Sequence, residues 1–193
     1  MIAAIILAAG ESKRMGQPKM LLSWGNTTVL GHVIDVFRST GIENILVVTG
    51  GARKEVEAIA ESKQASTVFN ENYARDEMLS SIQCGLRSLD RQTQAALVAL
   101  GDQPQVQERS VRLIVEEFNR TESKLIVPSY QMHRGHPWLV ACELWNEILE
   151  MKSPDSPRDF LNRHANEIRY VEMDTPSILQ DLDTPEDYLK SRP

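Results

Sequence analysis

Five short runs with little polar alternation constrain this chain more than any other feature. Residues 2–7, 44–48, 66–69, 95–100 and 124–127 are of strand length, apolar or β-branched, and mostly lack the alternation of a half-exposed strand. Strands of that kind are buried on both faces and need cover above and below. The segments between them can provide it. Leu30, Val33, Ile34 and Phe37 fall at i, i+3, i+4 and i+7, and Val111, Ile114, Val115 and Phe118 repeat the spacing. Leu79, Ile82, Leu86 and Leu89 form a third stripe. All three read as sheet-packing faces. Strands and helices that alternate over short connections call for right-handed βαβ units and a three-layer α/β/α domain around a mostly parallel sheet. Ligands of such sheets bind beyond the carboxyl ends of the strands, which puts the turns after Leu7 and Leu100 on one rim. Residues 128–157 are richer in Pro, His and Trp, and are expected to form a small insertion or cap over that rim within a single domain, 1–193.

Bulk properties narrow the function classes. With 41% apolar and 25% charged residues over 193 positions, the chain has the balance of a globular domain rather than a disordered one. A net charge of -6 argues against a broad nucleic-acid surface. Cys84 and Cys142 stand far apart, outside any CxxC or Cys/His ligand spacing, and read as reduced thiols rather than a disulfide or zinc site. The opening apolar run is too short to span a membrane and has no basic residues before it. Neither a leader peptide nor a membrane partner is therefore expected, and the cytoplasm is the expected location.

Against this acidic background, the loop after the first run concentrates cations. Gly10-Glu11-Ser12-Lys13-Arg14-Met15-Gly16-Gln17-Pro18-Lys19 fits neither the P-loop, which needs G-x-x-x-x-G-K-[ST], nor the dinucleotide fingerprint G-x-G-x-x-G. Its glycines nonetheless permit close backbone approach to phosphate oxygens. Arg14 offers a planar fork and Lys19 a mobile point charge. A solvated surface turn is the plainer alternative. Gly101-Asp102-Gln103-Pro104, which follows residues 95–100, places a carboxylate at a strand's carboxyl end, where it suits a Mg²⁺ ligand. The same four residues also make an ordinary turn. In Arg134-Gly135-His136-Pro137, the Arg and His flanking glycine can bind a phosphate, although a lone histidine does not make a general base.

Read together, these segments resemble the MobA-like nucleotidyltransferases. L-A-A-G-x-S-x-R-M-G-x-x-K, from Leu7 to Lys19, is similar to their cytidylyltransferase branch, which includes the molybdenum cofactor cytidylyltransferases. The guanylyltransferase branch usually carries L-A-G-G, so Ala9 leans toward a pyrimidine nucleotide. Further resemblances are Gly101-Asp102-Gln103-Pro104, the S-[IV]-x-x-G-L pattern at Ser81, R-G-H-P at Arg134, and Asp181-Leu182-Asp183-Thr184-Pro185-Glu186-Asp187. The resemblance implies a Rossmann-like nucleotidyltransferase fold. It implies Mg²⁺-dependent transfer of a nucleoside monophosphate, favouring CMP from CTP, to a phosphorylated acceptor of the molybdopterin type, with release of pyrophosphate. Mn²⁺ could replace Mg²⁺, and a molybdenum hydroxylase is a further candidate partner.

Carried over position by position, the family pattern assigns Leu7, Ala8, Ala9, Gly10, Ser12, Lys13, Arg14, Lys19, Asn70 and Ser81 to the nucleotide. Arg14 would face the departing pyrophosphate and Lys19 the α-phosphate, with Asp102 the third catalytic residue. Asp102 and Asp183 would hold the metal, and Arg134, Gly135, His136 and Arg158 the acceptor. Ser80 or Ser81 could equally cap the helix that follows them. Thr184, Pro185, Glu186 and Asp187 read as an N-cap and first turn. Two departures stand out: Met132 where the family often has Gly, and Ser153-Pro154-Asp155-Ser156-Pro157-Arg158 in place of G-D-x-G-x-R. The rival readings are a guanylyl- or sugar-1-phosphate nucleotidyltransferase, and a non-catalytic cofactor-binding accessory protein for molybdenum hydroxylase maturation.

Overall fold

A computed structural model describes residues 1–75, 78–121 and 123–193. The chain runs through β1 (Ile2–Ala8), a short hairpin β2 (Ser23–Trp24) and β3 (Thr27–Thr28), α1 (Val29–Ser39), β4 (Asn44–Thr49), α2 (Arg53–Ser62) and β5 (Ser66–Phe69). It continues through α3 (Met78–Ser88), β6 (Ala95–Leu100), α4 (Glu108–Thr121), β7 (Leu125–Tyr130), β8 (His133–Arg134) and β9 (Trp138–Ala141). Last come α5 (Trp145–Glu150), α6 (Pro157–Arg163), β10 (Arg169–Glu172) and α7 (Pro185–Ser191). The main sheet has the order β10-β7-β9-β6-β1-β4-β5, with β8 on β7. β1 lies between parallel β6 and β4. Within this sheet, among the described residues, only β8 and β9 run against their neighbours.

The lack of polar alternation in the strands now has its reason. Ala4, Ile6, Val47, Leu97 and Ile126 face a core shared with α1, α2 and α4. The alternate residues Ile5, Val48, Val98 and Val127 face a second core with α3, α5 and α6. Both sheet faces are therefore covered and neither tolerates a polar row. Among the described residues no helix is long and apolar enough to cross a membrane.

The segment 128–157 does more than cover a rim. β7 continues through Pro128 to Tyr130, and Trp138–Ala141 is a fully buried strand between β6 and β7, antiparallel to both. Between β7 and β8 the chain reverses at Gln131 and Met132, both in the left-handed region with φ of 48° and 68°. That is a two-residue hairpin turn made without the Asn-Gly pair that normally announces one.

Two backbone contacts set the functional rim. The Gly101 amide donates to the Leu7 carbonyl at 2.9 Å, which joins the turns after β6 and β1. The Leu182 amide donates to the Asp102 carbonyl at 3.0 Å, which brings the C-terminal segment across them. Leu182 is then buried with Met15, Trp24 and Val29, so the opening loop, the hairpin and the tail share a small core of their own.

Candidate active site

The loop after β1 is shaped by its own backbone. Ser12 and Gly16 take positive φ, 53° and 71°. The Ser12 carbonyl accepts from the Met15 and Gly16 amides at 3.0 and 3.2 Å, and its hydroxyl accepts from the Lys19 amide at 3.1 Å. Ser12, expected to meet the nucleotide, thus also folds the loop and delivers Lys19 to the rim. The loop presses against the end of β4. A Cβ on Gly50 would lie 2.3 Å from the Ala9 carbonyl oxygen, which also accepts from the Gly51 amide at 3.2 Å. Leu7, Ala8 and Ala9 are buried, whereas Gly10 is exposed with open space where a side chain would stand.

Charge gathers where the rim segments meet. The Lys19 ammonium contacts Asp102 Oδ2 and, at 3.3 Å, Asp183 Oδ1. Arg14 Nη2 reaches Asp183 Oδ2 at 2.9 Å. The side chains of Lys19 and Asp102 are only 13% and 12% exposed, which separates this cluster from a solvated surface turn. Burial pulls the Lys19 pKa down, but Asp102 and Asp183 outweigh it and hold the ammonium above its ordinary value. A third carboxyl, Asp181, accepts from Gln103 Nε2. Burial pushes its pKa up, and the neighbouring Asp102 and Asp183 add to that.

The donor set fits a hard divalent ion. Mg²⁺ is usually bound by one or two carboxylates plus substrate phosphate oxygens and water, and Asp102 and Asp183 converge on one cation here already. Among the described residues no group of three or more His, Cys, Asp or Glu could hold a metal. An ion at this pair would therefore draw its remaining ligands from substrate and solvent.

A cleft of about 270 Å³ opens over the cluster, lined by Gly10, Ser12, Lys13, Arg14, Lys19 and Asp183 together with Glu11, Tyr73 and Ala74. Lys13 is exposed and paired with Glu11 at 2.8 Å. Tyr73 and Ala74, which carry no motif, sit in a single 3-10 turn after β5. Their only sequence signal is their place beyond the carboxyl end of a parallel strand.

Asn70, at the end of β5, is buried, and its side-chain amide donates to the hydroxyls of Ser80 and Ser81 at 2.9 and 3.0 Å. Neither serine caps α3. Both lie inside the helix, which is already under way at Met78, and they tie it to β5 instead. Asn70 and Ser81, both expected at the nucleotide, are thus brought together, on the opposite helical layer from α1.

The acceptor candidates gather around a second, larger cleft of about 1240 Å³. Arg134, His136 and Arg158 line it. Gly135 is buried: its amide donates to the Pro128 carbonyl at 2.9 Å, and a Cβ there would lie 2.4 Å from the Ile178 carbonyl oxygen. It supplies close packing rather than a free hydrogen-bond donor. The His136 Nδ1 donates to the Val98 carbonyl at 3.2 Å. Burial lowers the ring's pKa against the opposing effects of that bond and of Asp102. Val98 belongs to β6, the strand whose carboxyl end leads into Asp102, so the larger cleft adjoins the strand that bears the carboxylate cluster.

The two departures also find a physical account. Met132 takes a left-handed turn position that glycine would occupy freely. Ser156 is the N-cap of α6, with Pro157 behind it and a reciprocal bond to Asp159. The same device, Thr184 with Pro185 and Asp187, starts α7 directly after Asp183, as the sequence predicts.

Comparison with known proteins shows the family. The MobA-like NTP transferase domain matches residues 4–168. A molybdenum cofactor cytidylyltransferase of Escherichia coli K12 is 27% identical over 201 residues, covering 99% of this chain and 95% of its own length. The crystal structure of Rv0371c from Mycobacterium tuberculosis H37Rv superposes with a TM-score of 0.85 at 28% identity, over 98% of this chain and 96% of that one. A complex of Rv0371C with manganese superposes with a TM-score of 0.77 at 26% identity, over 98% and 96% of the two chains.

Proposed function

The chain belongs to the MobA-like NTP transferase family and is a nucleotidyltransferase, and from that premise we propose that it moves CMP from CTP to the phosphate of a molybdopterin-type acceptor. The observation that carries this reading is the shared grip of Asp102 and Asp183 on Lys19, with Arg14 on the outer oxygen of Asp183. Cations and carboxylates are already paired at the rim, so an incoming triphosphate can exchange partners with them.

An acceptor phosphate oxygen attacks the α-phosphorus, the bond to the bridging oxygen breaks, and pyrophosphate departs. Such a step needs positioning and charge neutralisation more than covalent help. Lys19, held by the fold of the Ser12 loop, stabilises charge at the α-phosphorus, and Arg14 takes the charge developing on the leaving pyrophosphate. The acceptor phosphate is ionised at neutral pH, so no side chain must remove a proton. His136 serves as cleft wall. Mg²⁺ or Mn²⁺ held by Asp102 and Asp183 would add positive charge at the reacting phosphate. That a similar protein forms a complex with manganese supports the use of a divalent ion. Ala9, the R-G-H-P segment and the Escherichia coli relative favour cytosine. The dinucleotide product suits a molybdenum hydroxylase as its recipient.

Pyrophosphate release measured with CTP, GTP, UTP and ATP, each with purified molybdenum cofactor and Mg²⁺, tests the reading. Release with CTP that depends on both acceptor and metal is expected. Preference for GTP, or for UTP with a sugar phosphate, would replace it with the corresponding nucleotidyltransferase. Binding of CTP and cofactor without any release would point to an accessory role.

A further inference from the structure

Arg134 is held in a way that sets it apart from most arginines of this chain. Its Nε donates to the Tyr170 hydroxyl at 2.9 Å and its Nη1 to Asn162 Oδ1 at 2.7 Å. The guanidinium carbon lies 5.7 Å from the Tyr170 ring centre. Three elements distant in sequence meet here: β8 carries Arg134, α6 carries Asn162 and β10 carries Tyr170. Both partners are neutral. Arg109, Arg120, Arg163 and Arg169 each pair with a carboxylate, yet among the described residues none pairs with Arg134. In a chain with 27 acidic and 21 basic side chains, a guanidinium oriented by two neutral acceptors keeps its charge for something else.

We propose that Tyr170 and Asn162 are positioning residues that aim the Arg134 guanidinium at a phosphomonoester carried on a bulky, largely apolar body. All three line the larger cleft, and Glu172 is the only carboxylate among its described lining residues. Arg158 adds a second cation at the same wall, while Trp138, Leu161 and Leu179 supply apolar surface. With about 1240 Å³, the cleft has room for much more than a phosphate. Arginine's planar fork suits a phosphate dianion, and a guanidinium already fixed on two sides loses less freedom on binding it. This assignment rests on the reading of the cleft as the acceptor's side of the reaction.

Asn162→Asp separates positioning from mere support. If Asn162 only braces Arg134, a carboxylate there braces it better, and acceptor kinetics stay as they are. If it aims an uncompensated charge, the new carboxylate competes with the ligand. KM for molybdenum cofactor then rises about tenfold or more, the loss of a charged hydrogen bond, with kcat and KM for CTP unchanged. Tyr170→Phe keeps the ring, removes the hydroxyl acceptor and raises the same KM less. Unchanged thermal unfolding shows that both variants fold.

A second arm needs no turnover. Calorimetric titration with phenyl phosphate, against phenol, should show binding of the phosphate only, lost in Asn162→Asp. If the wild type turns over no molybdenum cofactor but binds phenyl phosphate in this way, the proposed function falls and the anchor stands. Failure of the wild type to bind phenyl phosphate, or equal binding by Asn162→Asp, overturns the anchor itself.

Discussion

The two clefts handle charge in opposite ways. In the smaller one, Lys19 and Arg14 are matched by Asp102 and Asp183, so positive and negative groups already satisfy each other. In the larger one, Arg134 is oriented by a phenol and an amide that leave its charge unmet. The contrast suits two kinds of tenant. A triphosphate arriving with a cation brings both signs and can exchange with a self-neutralised cluster. A lone phosphomonoester brings only negative charge, and a cation already paired to a carboxylate would hold it poorly.

The hardest test of this division is Asp102→Asn, which removes one carboxylate and nearly no volume. Metal-dependent pyrophosphate release should fall by at least about 10³-fold, since a metal donor and the main partner of Lys19 go together. The Leu182 amide bonds to the backbone carbonyl of Asp102, so the tail should stay in place and circular dichroism should not change. Turnover near the wild-type level would remove Asp102 from the chemistry. Arg14→Ala is expected to cost less, about 2–4 kcal/mol of transition-state stabilisation, read from kcat/KM for CTP with acceptor saturating. Its side chain is 71% exposed and, among the described residues, pairs with the outer oxygen of Asp183, so thermal unfolding should hardly move.

The two clefts also differ in how much of them can be read from sequence. The smaller one follows from local patterns: an apolar run ending at Gly10, a carboxylate straight after residues 95–100, and D-L-D-T-P before the last helix. Each stands at the end of an element, where a residue's neighbours along the chain already say what it faces. The larger cleft depends on contacts that no local pattern carries. Tyr170 and Asn162 reach Arg134 only because β10 lies beside β7 and α6 covers the adjoining face. The buried strand Trp138–Ala141 is masked by Pro, His and Trp on its approach. The turn before it uses Gln-Met at left-handed φ, a pair that gives no hairpin signal. Ser80 and Ser81 mislead differently. They are good capping residues in a helix that is already running, and a buried asparagine claims their hydroxyls.

Tight glycines offer a way to disturb one cleft without the other. A Cβ at Gly50 would meet the Ala9 backbone at 2.3 and 2.8 Å, and one at Gly135 would meet the Ile178 carbonyl oxygen at 2.4 Å. Neither obstacle is a flexible side-chain end, so backbone must move, at about 1–3 kcal/mol of stability each. Gly50→Ala should shift the phosphate loop and raise KM for CTP. Gly135→Ala should shift Arg134 and His136 and raise KM for the acceptor. Matching changes in both constants from either variant would mean that the clefts behave as a single unit.

The smallest expected effect concerns what the clefts share. Each adjoins a helix begun by the same device, Ser156-Pro157-Arg158-Asp159 at α6 and Thr184-Pro185-Glu186-Asp187 at α7. Hydrogen bonds from the cap hydroxyl, then the cap amide, hold the Asp159 and Asp187 pKa values below the ordinary 3.8. A carboxyl depressed by folding contributes its full stability above its unfolded pKa and loses it as pH falls through the folded one. Both caps should therefore hold at neutral pH and weaken only below about pH 4. Ser156→Ala and Thr184→Ala should each cost about 1 kcal/mol at pH 7, a few degrees in Tm. That difference from wild type should shrink as the pH is lowered past 3.8, because the wild type is then losing the same reciprocal bond. Because α7 follows Asp183 directly, Thr184→Ala should also raise the Mn²⁺ concentration needed for half-maximal pyrophosphate release. Ser156→Ala, at a residue that itself lines the larger cleft, should leave that metal requirement alone and act on acceptor KM instead. If both caps moved the same constant, the separation of the two clefts would fail at its weakest joint.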